Sequence, residues 1–116
     1  MQGSLMLDIG GTWLTAEDRQ LLRQPEVAGL ILFARNIECP RQVRELSMAI
    51  RAVRPDLLLA VDQEGGRVKR LKPPVWPDFP APLSYLALYK SDPELGREAV
   101  WLHHRLMAAE LEPMGI

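Results

Sequence analysis

The chain has 116 residues, 47% hydrophobic and 25% charged, with a net charge of −1, enough for one small domain with one core. The near-neutral balance gives no electrostatic case for nucleic acid or acidic lipid as a partner. The lone Cys39 excludes an intramolecular disulfide and a cysteine-rich metal site. Ser4 to Ile9 is predicted as a first strand, ended by Gly10-Gly11. Thr15, with Asp18 three residues on, caps a short helix running to about Arg23, and Pro25 closes that segment. Gly29 to Phe33 is a second strand and Ala34 to Glu38 a loop. Pro40 suits the first turn of a second helix, where Val43, Leu46, Ile50 and Val53 recur at helical spacing. Arg54-Pro55-Asp56 breaks it, and Leu57 to Val61 is a third strand.

A long proline-rich loop follows, from Asp62 to about Ala81, in which Trp76 and Phe79 argue for packing rather than disorder. Pro82 to Tyr89 is predicted as a short helix. Asp92-Pro93-Glu94 starts a longer one with a cap, a proline at the first position and an acid in the first turn. Leu95, Ala99, Leu102, Leu106 and Ala109 give that helix an apolar stripe, and Pro113 to Gly115 ends it. Strand and helix alternate, which implies an α/β fold with parallel strands joined by right-handed crossovers. The strands are almost continuously apolar, as expected when both faces of a sheet are covered. Three such strands leave an exposed sheet edge, so the chain is expected to be the front part of a longer α/β domain and to self-associate through that edge. The start, Met1-Gln2-Gly3-Ser4, lacks a basic segment followed by a long apolar stretch. No apolar run approaches the roughly 20 residues that cross a bilayer. The expected location is the cytoplasm, with no membrane partner.

The chemistry concentrates just after the third strand. Leu57-Leu58-Leu59-Ala60-Val61 stops at Asp62-Gln63-Glu64-Gly65-Gly66-Arg67-Val68-Lys69-Arg70. In parallel α/β folds ligands sit outside the carboxyl ends of the strands. Asp62 and Arg70 are therefore expected to face one small polar ligand together, although Asp62 could equally cap a turn and Arg70 be a surface cation. Gln63 and Glu64 are expected to brace the loop, and Gly65-Gly66 to supply positive φ rather than a phosphate nest, because no Gly-Lys-Ser/Thr follows. Asp8-Ile9-Gly10-Gly11-Thr12 matches the first phosphate motif of sugar kinases, but there a second strand follows directly, and here Thr15 to Arg19 reads as a capped helix. A small phosphate-binding domain is the reading that motif would support. His103 and His104 are adjacent, so they point to different faces, one packed and one solvated. Cys39 is expected at a helix entry. Trp13, Trp76 and Trp101 are expected to pack, with Trp76 the one candidate for a sugar platform.

One resemblance covers nearly the whole chain. It is carried by Met6-Leu7-Asp8-Ile9 with Gly11 and Leu14-Thr15, by Gly29-Leu30-Ile31-Leu32-Phe33-Ala34-Arg35-Asn36, and by Ala60-Val61-Asp62-Gln63-Glu64-Gly65-Gly66-Arg67-Val68. Ala108-Ala109-Glu110-Leu111 and Gly115-Ile116 extend it. The chain resembles the N-terminal part of family 3 glycoside hydrolases, in particular bacterial β-N-acetylhexosaminidases of cell-wall recycling. The family fold is a (β/α)8 TIM-type barrel of about 250 residues, so residues 1–116 would supply about its first three βα units, an incomplete barrel. The resemblance implies that Asp62 and Arg70 bind the terminal sugar. It implies a retaining exo-β-N-acetylglucosaminidase that removes GlcNAc from muropeptide fragments, without a metal or organic cofactor. The family's nucleophile and its Asp–His acid/base belong to later segments, so the chain is expected to carry no catalytic residue and to be inactive alone. The alternative is a non-catalytic sugar-binding or interaction module. Pro82-Leu83-Ser84-Tyr85-Leu86-Ala87-Leu88-Tyr89 departs from the family's usual segment there, which affects a helix and not the sugar-binding groups.

Overall fold

A computed structural model describes residues 3–116; Met1 and Gln2, part of the N-terminal segment read above, lie outside the described residues. The elements are β1 (Leu5–Leu7), α1 (Ala16–Leu22), β2 (Val27–Leu32), α2 (Pro40–Val53), β3 (Leu58–Val61), α3 (Leu86–Ser91) and α4 (Pro93–Leu111). The three strands form one parallel sheet in the order β1-β2-β3. That is the predicted α/β alternation, with β2 starting earlier than expected, at Val27. Phe33 falls outside β2 and begins a 3-10 turn over Ala34–Asn36.

The helices begin where the sequence provides caps. Thr15 and Asp18 form a reciprocal capping box: Asp18 N donates to Thr15 Oγ1 at 3.1 Å, and Thr15 N donates to Asp18 Oδ2 at 2.8 Å. Asp92 accepts from Leu95 N at 3.0 Å, with Pro93 opening α4. Cys39 sits at the N-cap of α2 ahead of Pro40 but gives no side-chain cap. The predicted stripe of α2 is inside, with Val43, Leu46 and Ile50 fully buried against Leu30, Leu32, Leu59 and Leu71. Burying a Val, Leu or Ile side chain contributes about 1.5–3 kcal/mol, so this face anchors the domain.

Polar side chains fasten the elements together. Arg54, at the end of α2, donates through Nη1 to the carbonyls of Gln24 and Val27 at 2.9 and 2.8 Å, tying α2 to the start of β2. The same guanidinium pairs with Asp56, and that hydrogen bond holds the Asp56 carboxyl below its ordinary value. Ser47 donates to Met114 O at 2.6 Å and Arg51 to Gly115 O at 2.8 Å, docking the chain's last turn onto α2.

Four expectations are corrected. The stripe Leu95, Ala99, Leu102, Leu106 and Ala109 is not the buried face of α4: Leu95, Leu102 and Leu106 are 47–50% exposed. The buried residues are Gly96, His103 and Met107. The reason is the tight contact with α3, where a Cβ on Gly96 would lie 2.5 Å from Tyr89 Cα. Trp13 and Trp101 are also exposed, at 56% and 65%, whereas Trp76 packs into the core. The first strand is shorter than predicted, and Leu5 and Met6 are exposed, so β1 is not covered on both faces. The predicted helix over Pro82–Tyr89 is a 3-10 turn, Pro82–Tyr85, followed by α3.

Asn36 is fully buried, donating to Ile9 O at 3.0 Å and Gly11 O at 2.7 Å while accepting from Phe33 N at 2.8 Å. Replacing it by alanine strands the Gly11 carbonyl and the Phe33 amide, each costing about 1–3 kcal/mol when unpaired, and leaves Ile9 O with Arg35 Nε as its donor. Asn36→Ala is expected to lower the unfolding free energy by about 2–4 kcal/mol in urea melts, against under about 0.5 kcal/mol for exposed Glu17→Ala.

Candidate functional site

Each strand ends on a charged or aromatic residue at the same rim. Asp8 follows β1, Phe33 and Arg35 follow β2, and Asp62 follows β3. The parallel register lines these ends up side by side. This is the side of a parallel sheet where ligands bind, because the strand ends and their loops leave a hollow lined by backbone and side-chain polar groups.

Arg70 is brought to this rim by a short excursion of the chain. Gln63 closes it. Its Oε1 accepts from Arg70 N at 2.8 Å and from Leu71 N at 3.1 Å, and its Nε2 donates to Leu71 O at 3.0 Å. The tip between them is a tight turn. Glu64 N and Gly65 N both donate to Val68 O, at 2.9 and 3.1 Å. Gly65 and Gly66 have φ of 97° and 60°, the left-handed region expected of them. Both also lie against the chain at Phe79–Ala81: a Cβ on Gly65 would lie 2.2 Å from Pro80 O, and Gly66 N donates to Phe79 O at 2.8 Å. The predicted loop thus has a packed base, with Leu71 and Trp76 buried beneath it.

Folded back in this way, Arg70 Nη2 meets Asp62 Oδ2 at 3.3 Å. The two side chains are 24% and 43% exposed, so the pair is neither sealed in the core nor free in solvent. The guanidinium carbon of Arg70 lies 5.5 Å from the centre of the Phe33 ring. Arg35 lies over the same ring at 4.9 Å, donates through Nε to Ile9 O at 3.1 Å and pairs with Asp8. Cations held over an aromatic face are attracted by the ring quadrupole, which adds to the fixing of both arginines. Arg70 Nε is buried with no acceptor among the described residues.

The two residues expected to share a ligand are brought together. Gln63 is a brace, as expected, and Glu64 is exposed at the turn and contributes its backbone carbonyl. His103 is buried and His104 exposed, the predicted division. Among the described residues no cluster of three or more His, Cys, Asp or Glu is placed to hold a metal ion, and no helix is long and apolar enough to cross a membrane. Phe33, Arg35 and Asp8 were not singled out as site residues from sequence. The signal was available, because each sits just past the end of an apolar strand, as Asp62 does. An open apolar groove of about 950 Å³ lies elsewhere, between α3 and α4, walled by Leu83, Tyr89 and Trp101. It shares no residue with the charged rim.

The N-terminal domain of family 3 glycosyl hydrolases matches residues 6–116. A beta-hexosaminidase of Pseudomonas aeruginosa is 62% identical over all of this chain, which covers 33% of that relative. NagZ from Neisseria gonorrhoeae, solved in complex with N-trifluoroacetyl-D-glucosamine, superposes with a TM-score of 0.90 at 35% identity, over 99% of this chain and 34% of that one. A family 3 β-N-acetylglucosaminidase from Paenibacillus superposes with a TM-score of 0.78 at 30% identity, over 96% of this chain and 21% of that one. The chain spans about a third of the length of the curated relatives it matches. The three parallel strands correspond to the N-terminal part of the NagZ fold, and the barrel is not closed by them.

The turn that returns Arg70 to Asp62 predicts its own sensitivity. Gly65→Ala combines an unfavourable φ with the Pro80 carbonyl in the way. It is expected to cost about 1–3 kcal/mol of stability. It should also speed amide exchange at Arg70 and Leu71 in native-state hydrogen exchange, while Leu30 and Leu32 keep their protection.

Proposed function

The chain belongs to the family 3 glycoside hydrolases, and on that premise we propose that residues 1–116 are the opening part of the (β/α)8-type barrel of a retaining exo-β-N-acetylglucosaminidase. In this reading Asp62 and Arg70 hold the terminal, non-reducing GlcNAc. The observation that carries it is the Asp62–Arg70 pair at the carboxyl ends of the strands, partly exposed to solvent. A carboxylate accepts hydrogen bonds from two neighbouring hydroxyls, and the guanidinium fork donates to ring oxygens and hydroxyls. Each such charge-assisted bond contributes about 1.5–3 kcal/mol. The N-acylated glucosamine bound to the gonococcal NagZ supports the choice of sugar.

Retaining hydrolysis needs a nucleophile and an acid/base flanking the scissile bond, about 5–5.5 Å apart. In this proposal Asp62 fills neither role. A carboxylate already held by a guanidinium is suited to binding hydroxyls, and the chemistry falls to groups outside this chain. The chain alone therefore binds and does not cleave. Its natural substrate would be a GlcNAc-bearing peptidoglycan fragment, met in the cytoplasm. Titrating the 15N-labelled chain with GlcNAc is expected to move the Arg70 side-chain and Asp62 amide signals. Asp62→Ala or Arg70→Met should each weaken the affinity by about tenfold or more, from the loss of one charge-assisted bond. A chromogenic GlcNAc glycoside should not turn over. Turnover that disappears in Asp62→Ala would show that this chain is catalytic, and unaffected affinity in both variants would remove the pair from the sugar site.

Self-association through the open sheet is part of the same proposal. The outer strands are β1 and β3, where Leu5, Met6 and Leu58 are 44–51% exposed, and the α4 leucines are similarly bare. Unpaired apolar edges recruit further strands. Sedimentation of the chain is expected to give a concentration-dependent dimer or larger species. A monodisperse monomer with one cooperative unfolding transition would contradict this.

A further inference from the structure

His103 is the one buried histidine in the described part of the chain, and nothing in the sugar-binding proposal uses it. It is 3% exposed, on the inner face of α4, and each ring nitrogen has a specific partner. Nε2 lies 3.1 Å from the backbone carbonyl of Glu64, and Nδ1 lies 3.1 Å from the Tyr85 hydroxyl. A carbonyl only accepts, so Nε2 carries the proton. In the neutral ring Nδ1 is then the acceptor and Tyr85 the donor. The Glu64 carbonyl thus sets the tautomer, and Tyr85, whose hydroxyl can donate or accept, complements it by donating to Nδ1. The ring edge also packs against Phe79 and Tyr85, with centroids 5.5 and 5.3 Å away.

The target of this donation is informative. Glu64 O belongs to the residue after Gln63 and to the start of the turn that returns Arg70 to Asp62. Phe79, on the other side of the ring, supplies the carbonyl that accepts from Gly66 N. One imidazole therefore touches both chain segments that make the turn. Gln63, next in line, clamps the backbone of Arg70 and Leu71. The contacts run without a gap from Tyr85 through His103, Glu64 and Gln63 to Arg70.

We propose that His103, set in its Nε2–H tautomer by the Glu64 carbonyl and held on its other side by Tyr85, is a positioning residue that holds the Gln63–Leu71 excursion so that Arg70 stays against Asp62. The proposal deepens the sugar-site reading and rests on it for its functional meaning, while its structural half stands apart from any ligand. His103 does not itself touch the sugar. Its specific action is one hydrogen bond from Nε2, and that makes it separable from simple packing. A glutamine at 103 places an N–H where Nε2 was and keeps the bond to Glu64. An asparagine places its amide where Nδ1 was and keeps only the Tyr85 side.

The test compares His103→Gln, His103→Asn and His103→Leu in the full chain by two readouts. The first is native-state exchange at Glu64, Gly65, Gly66, Arg70 and Leu71, referenced to Leu30 and Leu32 in β2. The second is the dissociation constant for GlcNAc from NMR titration. The leucine and asparagine variants are expected to exchange the turn amides about tenfold or more faster, with β2 unchanged, and to bind GlcNAc about tenfold more weakly. The glutamine variant should restore both to within about threefold of the parent. Tyr85→Phe, which leaves the histidine in place, should give a smaller loosening of the same amides and serves if the leucine variant fails to fold. Unchanged turn exchange in the leucine and asparagine variants would overturn the proposal. So would an asparagine variant that recovers as fully as glutamine. If the parent chain does not bind GlcNAc at all, the sugar reading fails, and the exchange pattern still decides the role of His103.

Discussion

The Gln63 side chain is the constraint on which the site depends. Three hydrogen bonds join its amide to the backbone of Arg70 and Leu71. Each neutral bond contributes about 0.5–1.5 kcal/mol net, and together they offset much of the entropy of closing a short loop. That closure returns Arg70, eight positions beyond Asp62, to the end of the same strand, where the Asp62 carboxylate and the Phe33 ring also hold it. A glutamine suits the task because one planar amide can accept from two N–H groups and still donate to a carbonyl. A carboxylate there would accept but could not donate.

The rim is built by the same economy on its other side. Asn36 and Gln42 are buried amides that answer backbone groups of the β1–α1 connection. Asn36 donates to Ile9 and Gly11, and Gln42 donates to Thr12 O at 2.9 Å and Asn36 O at 3.0 Å. They fix the end of β1 beside the end of β2, so Asp8, Arg35 and Phe33 share a rim with Asp62 and Arg70. Both arginine guanidinium groups lie over the Phe33 ring, which attracts each of them. The result is a row of alternating acid, cation and aromatic groups, a surface that presents hydrogen-bonding edges next to an apolar face.

Much of this was legible before any coordinates. The alternation of apolar runs with capped amphipathic segments gives the parallel sheet, and Thr15, Pro40 and Asp92 mark helix starts that are realised within a residue. The buried face of α2 follows from spacing because this helix packs on the sheet, where hydrophobicity decides orientation. The face of α4 does not follow from spacing. Its orientation is decided by the small Gly96 against Tyr89 and by the hydrogen bonds of His103, and no hydrophobic count weighs a glycine or a satisfied histidine correctly. The return of Arg70 was expected only as a shared ligand pair. That Gln63 closes the loop, and that Phe33 supports the cation, depend on contacts between segments that pattern reading along one chain does not supply.

The clasp of one saccharide by Asp62 and Arg70 is the claim on which the functional reading turns, and a crystal structure of the chain soaked with GlcNAc addresses it directly. The expected result is a sugar ring at the carboxyl ends of the strands, with Asp62 accepting from its hydroxyls and Arg70 donating to its oxygens. A sugar seated elsewhere, for instance against Trp101 in the groove between α3 and α4, with the Asp62–Arg70 pair untouched, would contradict it.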